Sequence, residues 1–116
     1  MAIANVLLQS TNTAVFGGPS AGNNAITSIT ICNTAAYSSG SPSANIELLY
    51  LYAVPAADVS GTTTTDKHLL VNGLPIPAGE TVSLDQEKLV LANGDKIIAK
   101  GSTNNGLAVT ISTLAV

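Results

Sequence analysis

Along this chain apolar side chains alternate with polar ones, and nowhere do they recur at helical spacing for three turns. A period of two commits the chain to strands, because successive side chains of extended backbone point to opposite faces. Residues 25–33 show it most plainly, with Ile29 and Ile31 on one face and Ser28, Thr30 and Cys32 on the other. Such a strand keeps one face on a core and the other toward semi-polar surroundings. Residues 46–54 place Ile46, Leu48, Tyr50, Tyr52 and Val54 on one face and Leu49, Leu51 and Ala53 on the other. Apolar on both sides, that strand is expected to be central or covered on both faces.

Further strand patterns run over residues 3–9, 14–16, 67–71, 81–84, 88–91, 95–101 and 107–114. The segments between them are rich in turn formers. Residues 17–24 hold three glycines, a proline and two asparagines, and residues 35–44 are rich in Ser, Gly and Pro with one aromatic, Tyr37. Residues 56–66 carry the run Thr62-Thr63-Thr64-Thr65 between Asp58 and Asp66 and read as a long flexible excursion. In Leu74-Pro75-Ile76-Pro77 neither proline can donate a backbone hydrogen bond, so pairing should pause there, at an edge or in a connector. Asn93-Gly94 and Asn105-Gly106 each separate two apolar runs, and Asn-Gly supplies the positive φ angles of a two-residue hairpin. The last three strands are therefore expected to form a meander.

A chain of 116 residues has room for one core of ordinary size. The expectation is a single all-β domain, a small β-sandwich of about eight short strands, immunoglobulin-like or jelly-roll-like. Residues 25–116 form its body. Residues 1–24 are either an N-terminal arm or a first strand, followed by a flexible Gly/Asn loop. As an arm, residues 2–16 would extend from the body and add a strand to a neighbour, with Ile3, Val6, Leu8 and Phe16 as contact residues. Otherwise residues 3–9 are the first strand of the same sandwich.

Only 9% of the residues are charged, where a typical soluble domain carries about a quarter. Thr, Ser, Asn and Ala stand in for the charges, and such a neutral surface suits burial against neighbours, since the centres of interfaces are depleted in charge. Arginine is absent, the four lysines are scattered and the net charge is −3, so no basic patch is available to neutralise phosphates. Nucleic-acid binding is disfavoured. No apolar run approaches the roughly 20 residues of a membrane helix, and the opening Met1-Ala2-Ile3-Ala4-Asn5 lacks the basic start of a secretory signal. Neither a membrane partner nor an export step is expected. Cys32 is the single cysteine, excluding an intramolecular disulfide, and it reads as a small packed hydrophobe.

Residues able to carry chemistry are few. His68 is the only imidazole, so any triad would depend on it, and its place in Asp66-Lys67-His68-Leu69 suggests a solvated position at a strand edge. One His and one Cys do not make a zinc site of the usual kind. Asp58 and Asp66 lack the alternating ligands and closing Glu of a calcium loop. Asp85, Glu87 and Asp95 fall where acidic residues solvate turns, and Gly17-Gly18 is not followed by the Gly-Lys-Ser/Thr of a phosphate loop. Tyr50 and Tyr52 share a strand face and read as packing or subunit-contact residues, while Tyr37 in its exposed loop is a contact candidate. No catalytic residue, metal or cofactor is expected.

The runs Ala25-Ile26-Thr27-Ser28-Ile29-Thr30-Ile31-Cys32-Asn33-Thr34 and Leu48-Leu49-Tyr50-Leu51-Tyr52-Ala53-Val54-Pro55 have a second block behind them. It is Leu74-Pro75-Ile76-Pro77-Ala78-Gly79-Glu80-Thr81-Val82-Ser83-Leu84, then Glu87-Lys88-Leu89-Val90-Leu91 and Asn93-Gly94-Asp95-Lys96-Ile97. Together they resemble small virion structural proteins of tailed bacteriophages, cyanophages among them, over residues 25–116. The resemblance implies a non-enzymatic sandwich used as head decoration or cement, with the major capsid protein or other virion proteins as partners and with homo-oligomeric or self-contacts on the particle. It places the chain in the virion after synthesis in the host cytoplasm. A tail, collar or fibre component remains an alternative, as does a free carbohydrate-binding module using Tyr37 or Tyr50.

Overall fold

Folded in half at residues 55–68, the chain pairs its strands from the outside in. The computed structural model describes residues 2–84 and 89–116. Among these are nine strands: β1 (Ala2–Leu8), β2 (Thr13–Gly17), β3 (Asn24–Asn33), β4 (Glu47–Val54), β5 (Leu69–Ile76), β6 (Thr81–Leu84), β7 (Leu89–Leu91), β8 (Lys96–Lys100) and β9 (Leu107–Ala115). Every pairing is antiparallel: β1 with β9, β2 with β8, β3 with β6 and then β7, and β4 with β5. Rolling this ribbon on itself adds β3 to β9 and β4 to β8.

The result is two sheets face to face. Sheet A has the order β1-β9-β3-β6 with β7 also on β3, and sheet B the order β2-β8-β4-β5. Since β6 and β7 occupy successive parts of one position along β3, eight strand positions result, and their rolled pairing is that of a jelly roll. An immunoglobulin sandwich would keep its first two strands side by side in one sheet. Here β1 and β2 lie in different sheets.

The expected terminal meander is not what forms. β7, β8 and β9 alternate between the sheets, so the turns at residues 92–95 and 101–106 cross the sandwich instead of closing hairpins. A two-residue hairpin of that type needs positive φ at both central positions. Only Gly94 (φ 98°) in the first turn and only Asn105 (φ 63°) in the second supply it. Residues 74–77 lie at a sheet edge as expected, but pairing stops only at Pro77. β5 runs through Pro75, opposite Leu48, which an edge strand tolerates because the missing N–H faces outward.

Ala2–Leu8 lies along β9 in unbroken register, from Ala2 opposite Thr113 to Leu8 opposite Leu107, as an edge strand of the body's own sheet. The core between the sheets is aliphatic. Leu8, Ile29, Ile31, Leu107, Val109 and Ile111 from sheet A meet Leu49, Leu51, Ile76 and Ile97 from sheet B, all buried. At about 1.5–3 kcal/mol per fully buried aliphatic side chain, this alternation is the main force holding the two layers together. At the end of β2, Gly17 (φ 95°) passes so close to the Asp95 carbonyl that a Cβ would collide with it. That approach lets Gly18 N–H donate to Asp95 O at 2.9 Å and ties residues 17–18 to the turn before β8.

Candidate functional site

The two outer faces of the sandwich are built differently. On sheet B, Tyr50, Tyr52 and Val54 of β4 stand beside Lys100, Ile98 and Lys96 of β8. Tyr52, Val54 and Ile98 are buried there, in a second small core completed by Val59 and Leu69. Residues 55–68 fold back over the sheet to cover them, so the segment expected as a flexible excursion lies against the body. It contains two 3-10 turns, Ala56–Asp58 and Asp66–His68. Asp95 accepts the N–H of Ala56 at 2.8 Å and that of Ala92 at 2.9 Å. Lys96 Nζ donates to Gly61 O at 3.1 Å, and Asn12 Nδ2 donates to Thr62 O at 2.9 Å.

His68 closes this cover. Only 6% of it is exposed, which corrects the solvated position expected for it. The backbone N–H of Thr65 donates to its Nδ1 at 3.1 Å, so the ring proton of the neutral form sits on Nε2, which faces Asp58 Oδ2 at 3.1 Å. Lys67 Nζ lies 3.2 Å from the same oxygen. The hydrogen bond from His68, with that of Lys67 and its positive charge, holds the Asp58 carboxyl below its ordinary value of 3.8. Asp58, His68 and Thr65 superficially form a nucleophile–base–acid chain. Yet the Nδ1 lone pair is already engaged by a backbone N–H, while the Thr65 hydroxyl stands 3.5 Å away. This geometry fastens a loop.

A second buried polar group sits at the opposite end of the sandwich. Glu47 is 5% exposed, accepting at Oε1 from Thr103 N–H (3.1 Å) and at Oε2 from Thr103 Oγ1 (2.6 Å). Gly101 and Gly106 are packed against the carboxylate, where a Cβ on Gly106 would overlap it. Sequence reasoning passed over Glu47, although period two puts it on the same face as Leu49 and Leu51. For His68 no local signal existed, because its burial depends on a loop closing over another part of the chain.

The outer face of sheet A has no such cover among the described residues. Register aligns Asn5, Thr110, Thr30 and Ser83 in one row across four strands. Leu7, Ala108, Cys32 and Thr81 form the next, with Ile3, Ser112 and Ser28 on the other side. None of these residues is charged. Asn5 Oδ1 accepts from Thr110 Oγ1 at 2.9 Å, and large apolar side chains stand exposed at the margins: Ile3 (68%), Leu7 (49%), Val90 (70%) and Leu114 (44%). Among the described residues every charged side chain lies on the sheet B side, at the ends of the sandwich, or buried as Glu47 is.

The contact candidates separate accordingly. Ile3 faces outward on sheet A, and Tyr37 is 62% exposed in the loop at the Glu47 end of the sandwich. Val6 is half-buried against the core, Phe16 packs on the core from β2, and Leu8 is wholly enclosed. Leu8 therefore offers no surface to a partner in this fold, because it points inward with Ala4 and Val6. Cys32 is half-buried and stands on the outer side of β3. Tyr52 is held under the loop, and Tyr50 lies below the Lys100 ammonium, 5.0 Å from the ring centroid. Asp85 and Glu87 lie outside the described residues.

Ile29, Leu51, Leu70, Val71, Leu84 and Leu89 line an open apolar cleft of about 180 Å³ at the side of the sandwich. Among the described residues no three His, Cys, Asp or Glu side chains come together as a metal site would need. No helix in them is long and apolar enough to cross a membrane. No family model, curated protein or solved structure matches the chain.

Proposed function

We propose that this chain is a non-enzymatic structural protein of a bacteriophage virion, a capsid decoration or cement protein that binds the major capsid protein through the outer face of sheet A. The observation that carries this reading is the contrast between the faces. One is covered by the chain's own loop, and the other presents rows of Ser, Thr, Ala and Asn rimmed by exposed Ile3, Leu7, Val90 and Leu114, with no charge among the described residues of that face. Desolvating such a face costs little, because no ion has to be stripped of water. Jelly rolls serve many unrelated functions, so the fold alone supports no role, and the surface has to. A capsid offers many equivalent sites, and a domain touching it at more than one point gains from simultaneous engagement even when each contact is weak.

The test is co-sedimentation of the purified protein with heads that lack it, followed by cryo-electron microscopy of the saturated particles. The expected result is ordered density at symmetry-equivalent positions on the head, with sheet A toward the shell. Density on the tail or fibres, or absence from the particle, contradicts the assignment.

A further inference from the structure

A jelly roll has four edge strands, and three of those in this chain are blunted. β5 contains Pro75, Gly73 at φ 74° and two register shifts against β4. β2 has a register shift between Ala14 and Phe16, and the covering loop is bonded to Asn12 just before it. Among the described residues β6 and β7 span only four and three. These are the devices by which proteins keep sheet edges from pairing with other chains.

β1 has none of them. Its seven residues, Ala-Ile-Ala-Asn-Val-Leu-Leu, contain no proline, glycine or charge and run beside β9 without a register shift. Alternate residues of any such strand turn their N–H and C=O groups away from the one partner they have. From this we propose that β1 pairs with β1 of a second copy, antiparallel about a two-fold axis, joining two five-stranded A sheets into one continuous sheet.

The sequence of the strand specifies the register. Residues directly opposite in an antiparallel pair point to the same face, so the two numbers of each facing pair must add to an even sum. Full overlap of Ala2–Leu8 with itself places the axis on Asn5. In that register exposed Ile3 faces Leu7 of the second copy, so the two large apolar side chains that β1 leaves in water cover each other twice. On the inner side Ala4 faces Val6. A two-fold axis sets each central residue against its own copy, which penalises any charge there, and neither β1 nor β9 carries one. This pairing does not depend on the capsid assignment.

Light scattering and sedimentation equilibrium on the full chain, over a dilution series, should show a mass moving between one and two times 11.6 kDa. Asn5→Lys and Asn5→Glu should each leave only monomer, and an equal mixture of the two should restore the dimer as a heterodimer. In a Cys32→Ser background, Asn5→Cys should form a disulfide-linked dimer by itself. Ile3→Cys should do so only when mixed with Leu7→Cys. Unchanged circular dichroism of each variant, and a melting curve that matches the parent's at dilutions where the parent is monomeric, would separate lost pairing from lost folding. Monomer at every concentration overturns the proposal, as does a dimer indifferent to Asn5→Lys or a disulfide formed by Ile3→Cys alone. Any of these results would leave particle binding as a separate question.

Discussion

The outer faces of the two sheets start from strands of similar make-up and end with opposite chemistry. β4 and β8 turn Tyr52, Val54 and Ile98 outward, and these are buried because residues 55–68 return across them. β3 and β9 turn Thr30, Ser28, Thr110 and Ser112 outward, and none of the described residues returns across them. The difference lies in the connections. The loop joining β4 to β5 is long enough to bring Val59 over sheet B, where with Leu69 it completes a second core, and to bury His68 at its end. On sheet A the neutral side chains do without a cover by hydrogen bonding to water or to one another, as Thr110 does with Asn5. One face is finished by the fold, and the other stays open to solvent.

The largest effect should come from the covered face. Ile98→Ala removes a side chain with no exposure and should cost about 2–5 kcal/mol in urea unfolding. Thr110→Ala, at a comparable central position of sheet A, should change stability by no more than about 0.5 kcal/mol. Equal costs would mean that the loop does not shield sheet B.

Next in size is His68→Ala, which deprives the Thr65 N–H of its acceptor and Asp58 of its nearest donor. Losing that part-buried bond together with the packing of a ring that is itself buried should cost about 0.5–3 kcal/mol. Hydrogen exchange should quicken in residues 55–68 and around Ile98, while β9 and β3 keep their protection. Acceleration in both sheets alike would show that the loop and the body open together.

Acidification gives a milder version of the same contrast. Asp58 has its carboxyl held below its ordinary 3.8, so the stability it contributes is fully present above that value and is lost as the pH falls through its folded-state value. Faster exchange in the loop is expected over that acid range, and Asp58→Asn should remove its pH dependence. A transition in sheet A over the same range, with the loop unaffected, would contradict this.

The all-β class and the faces of β3 and β4 were legible because alternation is local: the parity of Ile29 and Ile31 against Ser28 and Thr30 needs no knowledge of the partner strands. Topology was not legible. Asn93-Gly94 and Asn105-Gly106 carry hairpin chemistry, yet whether a turn closes a hairpin or crosses between sheets depends on which strands are already paired, and β8 is claimed by β2 and β4. The neutral surface was legible as a total in the composition, but its concentration on one face follows from the register of β1, β9, β3 and β6. Of the contact residues named from sequence, Ile3 and Tyr37 stand exposed, whereas Leu8 and Phe16 were assigned outward because an arm and a first strand share one pattern.

The most direct test of the central claim is the binding of Thr30→Lys and Thr110→Lys, singly and together, to heads lacking the protein. Both residues lie in the middle row of sheet A, directly opposite each other, so each single variant should keep its unfolding free energy within about 0.5 kcal/mol, while the facing lysines of the double variant should cost up to about 1 kcal/mol by repulsion. The account predicts that occupancy falls with each substitution and vanishes in the double variant. Full occupancy by a folded double variant would show that this neutral face is not the surface the particle holds.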